Sequence, residues 1–231
     1  MVKPEHRSSP VAAAVQTSRQ EPRRLRTHAA LMRAGAALLA DRPIDAIPVD
    51  DIVDAAGVSK GSFFNHFESK DALAEAVSAE IREEINTRVR AANAGIADAA
   101  ERTARGVCVF VHFALSEPGR ARIMLRSNAW VTSARSPLNR GLEADIAESV
   151  AQGRFKPRAA GVGAAFAVGL GHTLVFAAAN DRLSLAQAAS LTRDTLVLAL
   201  VGLGLEETEA QSLVSRVILA VFEPSSGKAP C

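Results

Sequence analysis

The 231-residue sequence predicts an all-α protein made of a small helix-turn-helix head and a larger helical body. Apolar residues recur at the three- and four-residue spacing of a helix face, and no segment alternates long enough to predict a strand. Prolines and glycines interrupt these patterns at intervals, which marks the ends of successive helices. Within residues 48–70, two very short helical patterns stand directly before a long one. That order is typical of a helix-turn-helix followed by a connecting helix.

The composition indicates a globular chain rather than a disordered or fibrous one. Apolar residues make up 48% of it and charged residues 23%, enough for a core and a hydrated surface. The net charge is only +2, but residues 1–26 hold six Lys or Arg against two Asp or Glu. Two cysteines, Cys108 and Cys231, exclude a disulfide framework and suit a reducing compartment. Because the first residues lack the apolar core of a signal peptide, we expect a cytoplasmic protein.

Four regions are predicted from these patterns. Residues 1–22 contain three prolines and no sustained apolar period, so we expect a disordered basic tail. An alternative role for this tail is an arm that reaches DNA phosphates. Residues 23–70 form the head and residues 71–223 the body, and residues 224–231 form a second disordered tail.

The stretch PVDDIVDAAGVSKGSFFNHFESK, residues 48–70, predicts two short helices with a tight bend between them. Pro48 can open the first helix, and Gly57 can end it in the left-handed conformation that glycine adopts without strain. Ser59 can cap the second helix, and Phe63 and Phe67 point toward a core. Neither helix is long enough to be stable alone, so other helices must pack on the pair. The usual use of such a pair is to present its second helix to a DNA groove.

The outer side of the second helix provides the candidate DNA contacts. Lysine and asparagine donate to base edges, and serine and histidine donate to phosphate oxygens. A glycine there lets the backbone approach the duplex, and a lysine at the start of the next helix adds to the positive end of its dipole. The candidates are Lys60, Gly61, Ser62, Phe64, Asn65, His66 and Lys70. The alternative is a purely structural helical corner with polar residues on its wet side.

Helical patterns account for the rest of the chain. A first helix is predicted from about Arg23 to Asp41, ended by Pro43, and a long helix from Ser69 to about Asn93 that links head and body. The body continues with helices at about residues 97–116, 118–134, 137–152, 159–181, 184–203 and 206–222. Residues 159–179 carry no charge and are long enough to span a bilayer, but Ala, Gly and His172 inside the run favour a buried core or dimer interface.

The segment from Leu31 to Leu73 resembles the DNA-binding domain of the tetracycline-repressor (TetR) family of transcriptional regulators. The similarity is carried by VDDIVDAAGVSKGSFFNHF and the following SKDAL, about a fifth of the chain. It implies a three-helix DNA-binding head, a ligand-binding helical body and a homodimer, and it places the family's DNA contacts on the seven candidates above. Three departures stand out: Pro48 where the family usually has Thr, Pro43 where it has Gly, and Phe64 where it has Tyr.

The resemblance also implies a pocket for a small, largely apolar effector in the body, without identifying its lining. Candidate lining residues lie in or near the apolar helices at residues 97–134 and 159–181, where an ordinary core is an equally good interpretation. They are Phe110, His112, Phe113, Met124, Asn128, Trp130, Phe166, His172 and Phe176.

The sequence therefore predicts a homodimeric regulator, more often a repressor in this family, that binds a palindromic double-stranded DNA operator and is released by its effector. Helices 159–181 and 184–203 are the expected dimer interface. One alternative is a helical ligand-binding or scaffolding protein that binds no DNA. Another is a small enzyme that uses Cys108 and His112, four residues apart on one helix face. No metal, no cofactor and no membrane partner are expected.

Overall fold

The computed structural model describes residues 10–126 and 139–222, with side chains from residue 22 onward. All regular structure in these ranges is helical, as the sequence predicts. The chain divides into two compact units between Val77 and Ser78, inside its long helix. The predicted tail at residues 224–231 lies outside the described residues.

The first unit contains three helices and the beginning of a fourth. They are α1 (Pro10–Asp41), α2 (Val49–Ala56), α3 (Lys60–Phe64) and α4 (Lys70–Ala92), and a short 3-10 turn (Ile44–Ala46) lies between α1 and α2. Ser69 caps α4 by accepting a hydrogen bond from the amide of Ala72, at 3.1 Å. Pro43 precedes the 3-10 turn in an extended conformation and prevents α1 from continuing.

The predicted disordered tail at residues 1–22 is wrong for residues 10–22, which belong to α1. Pro10 stands at the first position of the helix, where its missing N–H would have no partner, and three alanines follow after Val11. Pro22 lies inside the helix and costs it one backbone hydrogen bond, which the sequence pattern treats as a break. Residues 1–9 lie outside the described part.

Aliphatic and aromatic side chains from the four helices, together with Ile47 just after the 3-10 turn, build the core of the head. Leu31, Ile47, Ile52, Phe63 and Leu73 are all essentially inaccessible to solvent. A methyl group added at Gly35 of α1 would lie 2.9 Å from the Leu73 side chain, so α1 and α4 touch closely here. The head therefore includes the first two turns of α4 and extends beyond the predicted boundary at residue 70.

The second unit adds six helices to the rest of α4, and the predicted body patterns match them closely. They are α5 (Ala99–Ser116), α6 (Pro118–Arg126), α7 (Asn139–Ala151), α8 (Ala159–Asn180), α9 (Leu185–Leu203) and α10 (Glu207–Phe222). The predicted helix at 118–134 is described only as far as Arg126. Helix α5 is the central element, since it packs on α6, α7, α8, α9 and α10.

A charged network joins α4 to α5 and α6. Arg120 donates to Glu84 at 2.6 Å, and Arg88 donates to Glu117 at 2.6 Å. Both guanidinium groups lie over the ring of the buried Phe113, at 5.1 Å and 5.5 Å from its centre. The hydrogen bond from Arg120 holds the pKa of the Glu84 carboxyl below its ordinary value. This region therefore has a fixed geometry around a single aromatic ring.

Helix α8 is long and apolar enough to cross a membrane, with a mean hydropathy of 1.8 over its most apolar window. Within that window, 39% of the residues are buried inside the protein. One face of α8 packs on α5, α6, α7 and α9. Length and composition alone are weak evidence for a membrane span, because the core helix of a globular protein passes the same test.

Candidate nucleic-acid interface and ligand cavity

The two short helices of the head are ended and started by the residues that the sequence predicts. Gly57 adopts the left-handed conformation, with a φ of 65°, and directs the chain out of α2. Ser59 is the N-cap of α3, where its hydroxyl accepts a hydrogen bond from the amide of Ser62 at 3.2 Å. Pro48 is the residue before α2 and caps it with no side-chain hydrogen bond. The bend is thus fixed by local backbone chemistry.

Helix α3 buries one side and opens the other. Phe63 is completely buried, and Phe67, just after α3, is nearly so. Most of the candidate contacts face solvent: Lys60, Gly61, Phe64 and Asn65 are exposed, and Ser62, His66 and Lys70 are half-buried. Phe64 is 53% exposed, although its ring packs edge-on against Phe63 at 5.2 Å. The ring of Phe64 therefore lies on the open side of α3, where another molecule can contact it.

Lys60 forms an ion pair with Asp50 of α2, with 2.8 Å between Nζ and Oδ1. Both side chains are more than half exposed, so the pair contributes little to stability. Its Nζ can therefore leave Asp50 for a phosphate or a base edge at small cost.

His66 lies against α1, with its ring 5.8 Å from that of His28. Partial burial, together with the charges of His28 and Arg24, holds the pKa of His66 below its ordinary value. The imidazole is therefore mainly neutral at pH 7 and offers one N–H donor.

The ammonium group of Lys70 donates hydrogen bonds to three backbone carbonyl oxygens. Its Nζ donates to the carbonyl of Ile44 at 3.0 Å and to those of Asp45 and Ile47 at 3.3 Å. This cluster fastens the 3-10 turn to the start of α4, a role that local sequence does not reveal. A contact between Lys70 and DNA stays a prediction, and it would compete with these three bonds.

Replacing Lys70 with methionine is expected to destabilise the head by about 1–3 kcal/mol, because it removes charged hydrogen bonds to three carbonyls. The affinity for operator DNA should fall only in proportion to the fraction of protein whose head is unfolded. Thermal unfolding followed by circular dichroism checks this, with Lys156→Met, at an exposed lysine of the body, as the control. An unchanged unfolding temperature alongside lost DNA binding would contradict the structural role and support direct contact.

Replacing Phe64 with tyrosine is expected to leave operator affinity equal to or tighter than that of the wild type. The ring keeps its packing on Phe63, and the added hydroxyl faces solvent, where it can donate to a phosphate. A gel shift with the selected operator measures this. A clear loss of affinity would remove Phe64 from the DNA-facing side.

A cavity of about 480 Å³ lies in the second unit, a size typical of small-molecule sites. Its apolar lining comes from α4, α5, α7 and α8: Val89, Val107, Phe110, Leu142, Ala167 and Val168. Its polar lining includes Asn86, Arg90, Asn93, Arg102, Thr103, Asn139 and Asp145. The second half of α4 thus forms part of the cavity wall.

Of the predicted ligand-binding residues, the structure places Phe110 in this wall. Phe113 and Met124 are buried in the core, and the ring of His112 packs edge-on against Phe222 at 6.0 Å. Phe166 and Phe176 are exposed on α8, and His172, half-buried on the same helix, is not among the lining residues. Asn128 and Trp130 lie outside the described residues. Sequence reasoning missed the polar lining, because no local pattern shows which helix faces converge.

Cys108 is buried and does not have the properties of a nucleophile. Burial raises the pKa of its thiol to about 12, so the reactive thiolate is not formed near neutral pH. No group of three His, Cys, Asp or Glu that could hold a metal occurs in the described ranges.

Exposed apolar side chains are concentrated on α8 and α9. Of the nine large apolar side chains exposed in the described part of the chain, six lie on these two helices: Val162, Phe166, Phe176, Leu185, Leu191 and Leu198. Phe166 approaches Gly202 of α9, where an added methyl group would lie 3.9 Å from the ring. The exposed apolar sides of the two helices therefore adjoin, and we call this surface the α8–α9 face.

The head matches a known family. The family model "Bacterial regulatory proteins, tetR family" matches residues 31–77. The uncharacterized HTH-type transcriptional regulator YwcC of Bacillus subtilis is 51% identical over 45 residues. The HTH-type transcriptional repressor KstR2 of Mycolicibacterium smegmatis is 43% identical over 47 residues. These matches cover 20% of this chain and 20% and 23% of the two relatives, so this chain spans about a fifth of the curated relatives it matches.

Solved structures resemble most of the chain. A putative tetR-family regulator from Shewanella has a TM-score of 0.65 at 14% identity, over 78% of this chain and 99% of that one. A γ-butyrolactone receptor has a TM-score of 0.60 at 18% identity, over 85% and 99%. RolR in complex with resorcinol has a TM-score of 0.57 at 18% identity, over 85% and 96%. The TM-scores show that the fold is shared, and at identities this low the similarity concerns the fold alone.

Proposed function

We propose that this chain, whose head matches the tetR family of bacterial regulatory proteins, binds a palindromic DNA operator as a homodimer and represses transcription until a small ligand releases it. The observation that carries the proposal is α3, which buries Phe63 and leaves its polar side and the ring of Phe64 open. The relative KstR2 is named a repressor, which supports that sign of regulation.

The DNA contacts we propose are Lys60, Gly61, Ser62, Phe64, Asn65 and His66. Lys60 and Asn65 are the base-reading donors, and Ser62 and His66 donate to phosphates. Lys70 supports them as a positioning residue, because its three carbonyl bonds fix the 3-10 turn before α2. Because Pro48 and Phe64 provide no hydroxyl, α3 depends more on its remaining donors.

The cavity is the proposed effector site. The lining residues Asn86, Val89 and Arg90 belong to α4, the same continuous helix that begins with Lys70 in the head. A ligand that shifts the second half of α4 therefore acts on an element that the head shares. It releases DNA only if it binds the DNA-incompetent state more tightly. RolR, whose fold is similar, is described in complex with resorcinol, which supports a small-molecule effector here.

The α8–α9 face is the proposed dimer interface. Its exposed leucines, valine and phenylalanines would otherwise stay in water, and each one covered by a partner adds roughly 1.5–3 kcal/mol of transfer free energy. A dimer places two copies of α3 in successive major grooves about 34–36 Å apart. A bacterial protein that binds DNA in this way acts in the cytoplasm. Burial of the Cys108 thiol argues against a catalytic role for this protein.

Binding of a labelled random-sequence duplex, followed by fluorescence anisotropy at several salt concentrations, tests DNA binding before any operator is known. The affinity is expected to fall steeply with salt. In a plot of log affinity against log salt concentration, each phosphate that a Lys or Arg neutralises makes the slope steeper by about 0.9. On random-sequence DNA the Lys60 ammonium has no specific base to recognise and pairs with a phosphate. Lys60→Gln should therefore lower that slope by about 1–2 in the dimer, whereas Lys156→Gln in the body leaves it unchanged. No binding at low salt would contradict the proposal.

A further inference from the structure

The polar lining of the cavity carries information about the chemistry of its occupant. The two cations in the wall, Arg90 and Arg102, are already engaged. Arg102 donates through Nε to Asp145 at 2.7 Å, through Nη1 to the carbonyls of Ile96 and Ala97, and through Nη2 to Glu148. Arg90 donates to Glu83 at 2.8 Å and to Thr87 at 2.9 Å. Arg90 uses only Nη2 in these bonds, so a carboxylate or phosphate ligand would have to share both cations with carboxylates of the protein.

Hydrogen-bond acceptors, in contrast, have capacity left. Asn93 donates through Nδ2 to the carbonyl of Arg102 at 3.3 Å, and its Oδ1 is buried with no partner in the described part of the chain. Thr103 donates its hydroxyl proton to the carbonyl of Ala99 at 3.0 Å and keeps its oxygen lone pairs. Asp145 uses Oδ1 for Arg102, and no bond to its Oδ2 occurs among the described residues. A buried acceptor without a donor costs about 1–3 kcal/mol, which a donating ligand would recover.

The charges around the wall are paired with one another. Arg90 binds Glu83, and Arg102 binds Asp145 and Glu148, so two positive groups face three negative ones. A charged ligand therefore finds no unpaired ion of opposite sign that would compensate for its lost hydration. The uncharged polar lining consists of Asn86, Asn93, Thr103 and Asn139, and the rest is aliphatic apart from the ring of Phe110. A volume of about 480 Å³ holds more than one six-membered ring.

We infer that the occupant is an uncharged molecule with an apolar body about the size of two rings and with hydroxyl groups that donate to Asn93, Thr103 and Asp145. This inference rests on the proposed function for the existence of an effector site, and it adds the chemical class. The cavity would distinguish ligands by their hydrogen-bond donors. An analogue of the same shape that lacks these donors would leave the acceptors of the cavity wall unpaired.

Four naphthalene probes of similar size separate the possibilities in isothermal titration calorimetry with the full chain and no DNA. Naphthalene-2,7-diol donates two hydrogen bonds, and 2,7-dimethoxynaphthalene keeps the oxygens without the protons. Naphthalene-2-carboxylate carries a negative charge, and 2-(aminomethyl)naphthalene a positive one. The diol is expected to bind at least about tenfold more tightly than each of the other three, as two lost hydrogen bonds predict.

Two variants test whether polar side chains of the cavity wall cause the preference for the diol. Thr103→Val, which keeps the shape of the side chain, and Asn93→Leu should each weaken the diol about three- to tenfold and leave the dimethoxy probe unchanged. Asn180→Leu, at an exposed asparagine at the end of α8, is the matched control and should change neither. Circular dichroism confirms that each variant is folded.

Equal binding of the diol and its dimethyl ether, tighter binding of either ion, or binding of none of the four would overturn the inference. These outcomes leave DNA binding untouched. Absence of DNA binding in the anisotropy experiment, in contrast, would contradict the proposed function whether or not the four probes bind. The two failures are therefore distinguishable.

Discussion

Replacing Leu198 with aspartate is expected to convert the dimer into monomers and to abolish tight operator binding. Leu198 is 74% exposed on α9, so the change leaves the core of the protomer intact. In the dimer it removes two buried leucines and buries two carboxylates, a loss of at least about 4 kcal/mol, or roughly a thousandfold in dimer affinity. Sedimentation velocity at about micromolar protein and anisotropy with the selected operator measure the two effects.

Leu219→Asp is the matched control for this variant. Leu219 is also exposed, at 55%, but it lies on α10 and outside the α8–α9 face. It should leave both the sedimentation coefficient and the operator affinity unchanged. A Leu198→Asp protein that stays dimeric, or a wild type that sediments as a monomer, would rule out the α8–α9 face as the dimer interface.

Replacing Gly204 with alanine is expected to destabilise the body by about 2–5 kcal/mol. Gly204 ends α9 with a φ of 135°, a conformation that other residues adopt only under strain. A methyl group there would lie 2.7 Å from the backbone nitrogen of Lys156 and 3.0 Å from its Cγ. That nitrogen donates to the carbonyl of Leu203 at 2.8 Å, so the substitution also disturbs a hydrogen bond between the end of α9 and the loop before α8.

Urea unfolding followed by circular dichroism measures the loss, with Gly161→Ala as the control. Gly161 lies in the first turn of α8, and an added methyl group there has no neighbour within 4 Å. Since alanine favours a helix over glycine, this control should gain up to about 1 kcal/mol. If the two variants unfolded at the same urea concentration, the backbone geometry at Gly204 would not be a determinant of stability.

The sequence predicts the helices of this protein well, because their limits depend on local chemistry. Gly57 and Ser59 act where they stand in the chain, and the apolar spacing of the body gives helix ends within a few residues of those observed. The predicted start of α1 at Arg23 is wrong because Pro10 and Pro22 look like breaks in a pattern. The first position of a helix tolerates Pro10, whereas Pro22 in the interior costs roughly 3 kcal/mol, and α1 nevertheless continues through it.

The sites are predicted less completely, for a physical reason. The exposed side of α3 is a property of one helix and can be read from its spacing. The cavity depends on where α4, α5, α7 and α8 converge, and the same apolar pattern marks Phe110 at its wall and Phe113 in the solid core. The three carbonyls around Lys70 come from residues 23 to 26 positions earlier in the chain, which no local motif indicates.

Selection of bound duplexes from a random-sequence pool tests the central claim most directly, because it examines DNA binding, symmetry and half-site spacing together. We predict enrichment of a two-fold symmetric sequence whose half-sites lie about one helical turn, 10–10.5 base pairs, apart or a multiple of that distance. Lys60→Ala with Asn65→Ala should lose this enrichment, while Leu219→Asp keeps it. No enriched sequence, or an asymmetric site bound equally well by the double variant, would contradict it.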